Sequence, residues 1–175
     1  MKSNLQSTPY TTVCVSGGFD PVHVGHLRLI QSAASHGNVI VIVNSDDWLM
    51  RKKGYIFMPF DERCEILKGF GCVYDTISVD DTDGTVCEAL ERLKPDFFAN
   101  GGDRKTDNTP EMTLCNNLKI ELLWGIGGEK VQSSSDLVSS SGMVRETPIE
   151  IDGIELKPAK IQVVTSGDVS KNGDY

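Results

Sequence analysis

Two histidines, His23 and His26, stand three residues apart in a chain that has three histidines in all. They close the run Gly17-Gly18-Phe19-Asp20-Pro21-Val22-His23-Val24-Gly25-His26, which puts two adjacent glycines and an acid just upstream. Three residues is close to one helical turn, so the two imidazoles face one place. A glycine pair lets another group approach the backbone, because no side chain blocks it. A helix N-terminus behind such a turn presents unpaired N–H groups and a partial positive charge, which suits phosphate. Imidazole can donate a hydrogen bond whether neutral or charged. These residue types in this order point to phosphate chemistry at one site.

Three further clusters have the composition to join it. Asn44-Ser45-Asp46 is followed by Arg51-Lys52-Lys53-Gly54, three consecutive cations in a chain of formal charge −8. Pro59 and Arg63 follow, and farther on come Gly101-Gly102-Asp103 and Gln132-Ser133-Ser134-Ser135-Asp136-Leu137. Each also has a plain structural reading. A charge run is a solvated face, Asp46 is a helix N-cap, Arg63 is one half of an exposed helix pair, and Gly-Gly-Asp is turn chemistry. His36 fits none of these groups and reads as a surface or helix-end residue.

The elements that must position these residues alternate regularly. Strand-like apolar runs occur at Thr12-Val13-Cys14-Val15, Val39 to Val43, Thr76 to Val79, Asp96 to Ala99 and Lys119 to Leu123. The run at 39–43 is β-branched throughout, as expected for a strand buried on both faces. Between the strands lie helical patterns: one from Leu27, a short one from Asp46 to Arg51, one opened by Pro59, one over Val86 to Leu93 and one opened by Thr109-Pro110-Glu111. Strict alternation predicts a Rossmann-like α/β fold, an open parallel five-stranded sheet with helices on both faces. Such sheets bind ligands at the carboxyl ends of their strands, where the glycine–histidine turn, Asn44-Ser45-Asp46 and Gly101-Gly102-Asp103 all fall.

The tail has another character. Pro148 to Leu156 alternates apolar and acidic residues around Asp152-Gly153, a strong hairpin signal. The expected organisation is a flexible N-terminus over 1–11, one domain over 12–141, a β-arm over 142–165 and a disordered tail over 166–175. Lys160 to Thr165 could add a strand to that arm.

Bulk properties narrow the function classes. No apolar run reaches the ~20 residues a membrane span needs, and residues 1–8 lack a signal-peptide core. Five scattered cysteines without a Cys-x-x-Cys pair read as reduced thiols of a cytoplasmic protein. The acidic balance argues against general nucleic-acid or anionic-membrane binding.

The pattern Gly17-x-Phe19-Asp20-x-x-His23-x-Gly25-His26 resembles the signature of the cytidylyltransferase-like nucleotidyltransferases, and the resemblance covers roughly residues 12–138. It implies an enzyme joining a nucleoside triphosphate to a phosphorylated acceptor with release of pyrophosphate, on a Rossmann-like sheet. By that resemblance His23, His26, Lys53 and Arg63 are catalytic, and Arg51 and Lys53 hold the acceptor phosphate. Gly17, Gly18, Phe19, Asp20, Gly25, Gly102, Asp103, Ser133 and Ser134 form the nucleotide site. Within that set Phe19 reads as a packing residue and Asp20 as a group that caps the turn or orients neighbours. A lone Asp is weak evidence for a metal site, and Mg2+ is expected to arrive with the triphosphate. The serine-only helix start departs from the threonines of the cytidylyltransferases, and Gly128-Glu129-Lys130 replaces their upstream arginine, with Lys130 as a substitute.

The later motifs resemble heptose-phosphate adenylyltransferases, and the size and opening motif resemble glycerol-3-phosphate cytidylyltransferases. ATP and CTP therefore stand level, with a small phosphorylated sugar or polyol as acceptor. The resemblance also implies a homodimer. Two alternatives stay open: a nucleotide-binding or assembly protein without turnover, and an adenylyltransferase of cofactor biosynthesis.

Overall fold

The structure, a computed structural model, describes residues 11–101, 109–128, 132–140, 150–151 and 154–155. The chain divides into two units, Met1–Leu137 and Val138–Tyr175. In the first unit β1 (Thr12–Gly17), α1 (Val24–Ala33), β2 (Asn38–Val43), α2 (Asp46–Lys53), α3 (Phe60–Lys68), β3 (Val73–Ser78), α4 (Cys87–Leu93), β4 (Phe97–Gly101), α5 (Pro110–Leu118) and β5 (Glu121–Ile126) follow in order, and α6 (Ser134–Ser140) begins there.

The five strands form one parallel sheet in the order β3-β2-β1-β4-β5. Alternation along each strand feeds two cores. Val13 and Val15 of β1, Val39, Val41 and Val43 of β2, and Phe97 and Ala99 of β4 pack with Ile30 and Ala33 of α1 and Leu67 of α3. Cys14, Ile42 and Phe98 point the other way, onto Ala89 and Leu90 of α4 and Cys115 of α5. Helices therefore cover both faces, which is why these strands read as unbroken apolar runs. Burial pushes the Cys14 thiol up to about 12 and the Cys115 thiol up to about 11, so both remain protonated packing groups.

β1 lies between β2 and β4, so the strand order reverses at its carboxyl end. That reversal opens the crevice in which α/β sheets seat ligands. Several boundaries differ from expectation, and two of them show why. β3 begins at Val73, three residues before Thr76, and β5 begins at Glu121 because Lys119 is the left-handed C-cap of α5. There the Lys119 N–H bonds back to the helix carbonyls, which keeps it out of the sheet.

In the second unit β6 (Glu150–Ile151) pairs antiparallel with β7 (Ile154–Glu155), the register expected of the hairpin. The turn residues Asp152 and Gly153, the expected strand from Lys160 and the tail from Ser166 lie outside the described residues.

Candidate functional site

The turn between β1 and α1 is shaped from within. Phe19 is 2 % exposed and takes a left-handed φ of 51°, which puts its ring into the core. Its edge meets the His26 ring, with centroids 4.8 Å apart. Asp20 is fully buried, and its two carboxylate oxygens accept the main-chain N–H groups of Met58 (2.6 Å) and Phe57 (2.9 Å). Asp20 thus pins the segment between α2 and α3 to the turn. That answers the sequence reading of an orienting residue and places neither Phe19 nor Asp20 on an open ligand surface.

His23 is the N-cap of α1. Its Nδ1 accepts the Gly25 N–H at 3.1 Å, and His26 Nδ1 accepts the His23 N–H at 3.3 Å, a reciprocal capping box made of imidazoles. The rings stack with centroids 3.8 Å apart. An Nδ1 that accepts carries no proton, so each neutral ring holds its proton on Nε2 and offers that N–H as its donor. Burial, then the neighbouring His23 and Lys53, pushes the His26 pKa down to about 3. His26 is therefore a neutral imidazole at physiological pH. Gly25 has to be small: a Cβ there would lie 2.9 Å from His23 Cε1. At Gly18 a Cβ would meet Leu49 Cδ2 at 2.8 Å, so that glycine lets α2 close against the turn.

The three cations at the end of α2 diverge. Lys53 Nζ donates to the Asp20 carbonyl at 3.0 Å and is near enough to His26 to lower its pKa, so it joins the histidine notch. Arg51 Nη2 donates to the Asp81 carbonyl at 2.7 Å and lies 3.7 Å from the Asp81 carboxylate. Lys52 sits 4.7 Å above the Trp48 ring and lines the adjoining cleft. Sequence spacing favoured Arg51 and Lys53 for an acceptor phosphate, whereas the cleft itself carries Lys52.

Arg63 departs furthest from expectation. Its side chain is 0 % exposed. The guanidinium donates to the Met58, Gly18 and Asn44 carbonyls at 3.0, 2.6 and 2.9 Å and pairs with Asp46 at 2.5 Å. In this conformation it is neither an exposed helix pair nor a phosphate contact; it ties α3 to the carboxyl ends of β1 and β2. Asp46 is correspondingly not the cap of α2. Ser45 is, through its Oγ and the Trp48 N–H at 3.0 Å.

The start of α6 reaches the same turn. Ser134 Oγ donates to the Pro21 carbonyl at 2.9 Å, and Ser133 Oγ caps the helix by accepting the Asp136 N–H. Gly102, Asp103 and Lys130 lie outside the described residues.

On the other side of Gly17 a cleft of about 330 Å³ runs along the strand ends from Asn44 past Gly17 and Asn100 to Trp124. Its rim takes Trp48 and Lys52 from α2 and Glu111 from α5. Sequence reasoning missed Asn100, Trp48, Trp124 and Glu111. Asn100 had a signal, being the last β4 residue before the glycine pair at the ligand edge; Trp48 and Glu111 had none beyond their helices.

The model of the cytidylyltransferase-like family matches residues 14–147. The chain belongs to that family. This domain is by that membership a nucleotidyltransferase, as the motif implied. Among curated relatives, the bifunctional protein HldE of Streptomyces coelicolor is 37 % identical over 117 residues, 65 % of this chain and 25 % of that protein. The chain thus spans a quarter of the HldE relative it matches. An FAD synthase of Pyrococcus abyssi is 33 % identical over 115 residues, 63 % of this chain and 77 % of its own. A solved structure, the lipopolysaccharide core biosynthesis protein from Thermoplasma volcanium, shares the fold with a TM-score of 0.57 at 24 % identity over 69 % of this chain and 98 % of that one. The domain's five-stranded sheet agrees with that likeness.

Proposed function

We propose that this domain transfers a nucleotidyl group, AMP or CMP, from ATP or CTP to a small phosphorylated sugar or polyol and releases pyrophosphate. The observation that carries the reading is the imidazole capping box. Because main-chain N–H groups occupy both Nδ1 atoms, the rings are held in the tautomer that donates from Nε2. Two neutral donors at a helix start, with Lys53 beside them, suit a triphosphate whose charge rearranges during transfer.

An acceptor phosphate oxygen attacks the α-phosphorus as the bond to the departing pyrophosphate breaks. Negative charge grows on the bridging and non-bridging oxygens of the triphosphate. His23 and His26 donate to those oxygens, and Lys53 adds a cation. Neither ring has to give up a proton, so catalysis here is positioning and charge stabilisation. The acceptor enters from the cleft across Gly17, where the missing side chain lets its phosphate approach the α-phosphorus.

Magnesium arrives with the triphosphate. Both Asp20 oxygens already accept main-chain N–H groups, and no group of three acids, histidines or cysteines gathers among the described residues. A cytoplasmic location and a homodimer complete the proposal. All five cysteines are free, and no helix among the described residues is long and apolar enough to cross a membrane.

The test combines thermal shift against the four ribonucleoside triphosphates with pyrophosphate release on mixed sugar phosphates. Stabilisation by ATP or CTP, with pyrophosphate formed when an acceptor is present, is the expected result. Nucleotide binding without pyrophosphate would instead support a binding protein that lacks turnover.

A further inference from the structure

Arg63 and Asn100 are both more than nine-tenths buried, yet their polar atoms differ. The Asn100 side-chain amide has no hydrogen-bond partner among the described residues, although Asn100 is 9 % exposed and lines the cleft. Its amide atoms are open to the cleft, where a ligand can pair them with both a donor and an acceptor. Glu111 lies in the same cleft, where one of its carboxylate oxygens accepts the Val86 N–H at 3.3 Å. Both tryptophans of the chain, Trp48 and Trp124, line this cleft too.

We infer that Asn100 and Glu111 read the hydroxyl groups of the acceptor, and that the cleft selects a singly phosphorylated, polyhydroxylated body. The inference rests on the transfer reading and deepens it by naming the residues that determine specificity. The charges give the acceptor a direction. Among the described residues Lys52 is the cation of the cleft lining, and it belongs to α2, the helix that closes on Gly18. Glu111 belongs to α5, which follows β4. The phosphate therefore lies on the Lys52 side, toward the turn where transfer occurs, and the hydroxyls lie on the Asn100–Glu111 side. From β2 to β5 the strand ends span about 14 Å, three inter-strand spacings, which gives a sugar phosphate room to lie along them. An amide both donates and accepts and a carboxylate accepts strongly, so the pair can chelate a diol. The same carboxylate repels a second phosphate at that end. The indole faces suit the C–H side of a sugar ring.

Tryptophan emission tests this directly, because both fluorophores are in the cleft. The full chain is titrated without nucleotide against a hexose 1-phosphate, a hexose bisphosphate, glycerol 3-phosphate, inorganic phosphate and flavin mononucleotide. A saturable change with a singly phosphorylated sugar or polyol is expected, weakened about ten-fold by Asn100→Asp and by Glu111→Gln. Glu111→Gln should also narrow the preference against the bisphosphate. Melting temperature and the nucleotide-induced shift of each variant verify that fold and histidine notch are intact; Glu111→Gln carries the test if the Asn100 variant does not fold. Equal binding of inorganic phosphate, tighter binding of the flavin unaffected by either variant, or no change with any sugar phosphate at millimolar concentration overturns the inference. Pyrophosphate release keeps the two readings apart. Turnover of a sugar phosphate that both variants bind like wild type sinks this inference and leaves the function standing. Variant-sensitive binding without pyrophosphate does the reverse.

Discussion

Two regions at the carboxyl edge of the sheet use the same kinds of residue to opposite ends. Behind the β1–α1 turn, Arg63 and Asp20 are fully buried, and the structure provides each with hydrogen-bond partners. In front of it, His23, His26 and Lys53 are half-buried, and Asn100 presents its side-chain amide to the cleft. A charged residue beside the β1–α1 turn is therefore not assigned by its type. What separates Arg63 from Asn100 is whether the side chain's hydrogen-bonding capacity is consumed inside the fold. Four contacts hold the Arg63 guanidinium in place, and a ligand would have to displace them to reach it.

The largest expected effect would break the comparison at its back wall. Arg63→Met leaves Asp46 without its cation and three carbonyls without their donor, so it should destabilise the domain by about 3–5 kcal/mol in urea unfolding. Arg63→Lys should recover less than half of that, since an ammonium cannot span the same fork of acceptors. If Arg63→Met melted like wild type while pyrophosphate release collapsed, Arg63 would belong to the front region after all.

The front region should show the opposite split. In the proposed reaction His23→Ala and His26→Ala each remove a donor to the triphosphate, and each should slow turnover by roughly two to three orders of magnitude, about 3–4 kcal/mol. Their cost in stability should be nearer ~1 kcal/mol, the loss of a helix cap. Steady-state pyrophosphate release and a melting curve on the same preparations separate the two quantities. A loss of several kcal/mol of stability with normal turnover would make the capping box purely structural.

The fold was legible in this chain because its strands are buried on both faces. Val39 to Val43 can satisfy two cores only as a central strand, and the strict alternation of elements then leaves one architecture. The histidine notch was legible because its residues are adjacent in sequence, so local spacing carried the geometry. The cleft was not, since Asn44, Trp48, Asn100, Glu111 and Trp124 come from separate elements and meet only through the order β2-β1-β4-β5. Arg63 illustrates a second limit. Its spacing from Pro59 placed it on α3, but whether it faces solvent or the interior depends on Asp46, seventeen positions earlier in the chain.

A pH series sharpens the front region further. The folded pKa of His26, about 3, lies below the ordinary value of 6.5, chiefly because the ring is buried. Above pH 6.5 the ring is neutral both folded and unfolded, and its contribution is complete. As pH falls through 6.5 the unfolded chain takes up the proton first, so stability declines by up to about 1.4 kcal/mol per pH unit until the folded pKa is reached. The useful window is from about pH 6.5 to about pH 5, before the carboxylates titrate. His26→Gln keeps an acceptor for the His23 N–H and removes the proton site, so its stability should be flatter across that window. Equal slopes for the two proteins would mean that the folded His26 ring takes up the proton as readily as the unfolded one.

The smallest effect concerns Gly25, where two terms oppose each other. Alanine is about 1 kcal/mol better than glycine in a helix, and Gly25 sits in the first turn of α1. The added Cβ, however, would stand 2.9 Å from Cε1 and 3.0 Å from Nδ1 of His23, closer than packing allows. The ring can relieve this only by swinging away from the Gly25 N–H, which lengthens the hydrogen bond that fixes its tautomer. Gly25→Ala should therefore leave stability within ~1 kcal/mol of wild type while turnover falls several-fold, because a displacement of a few tenths of an ångström misaligns the Nε2 donor. A more stable variant with undiminished pyrophosphate release would mean that the position of the His23 ring is not what sets the rate.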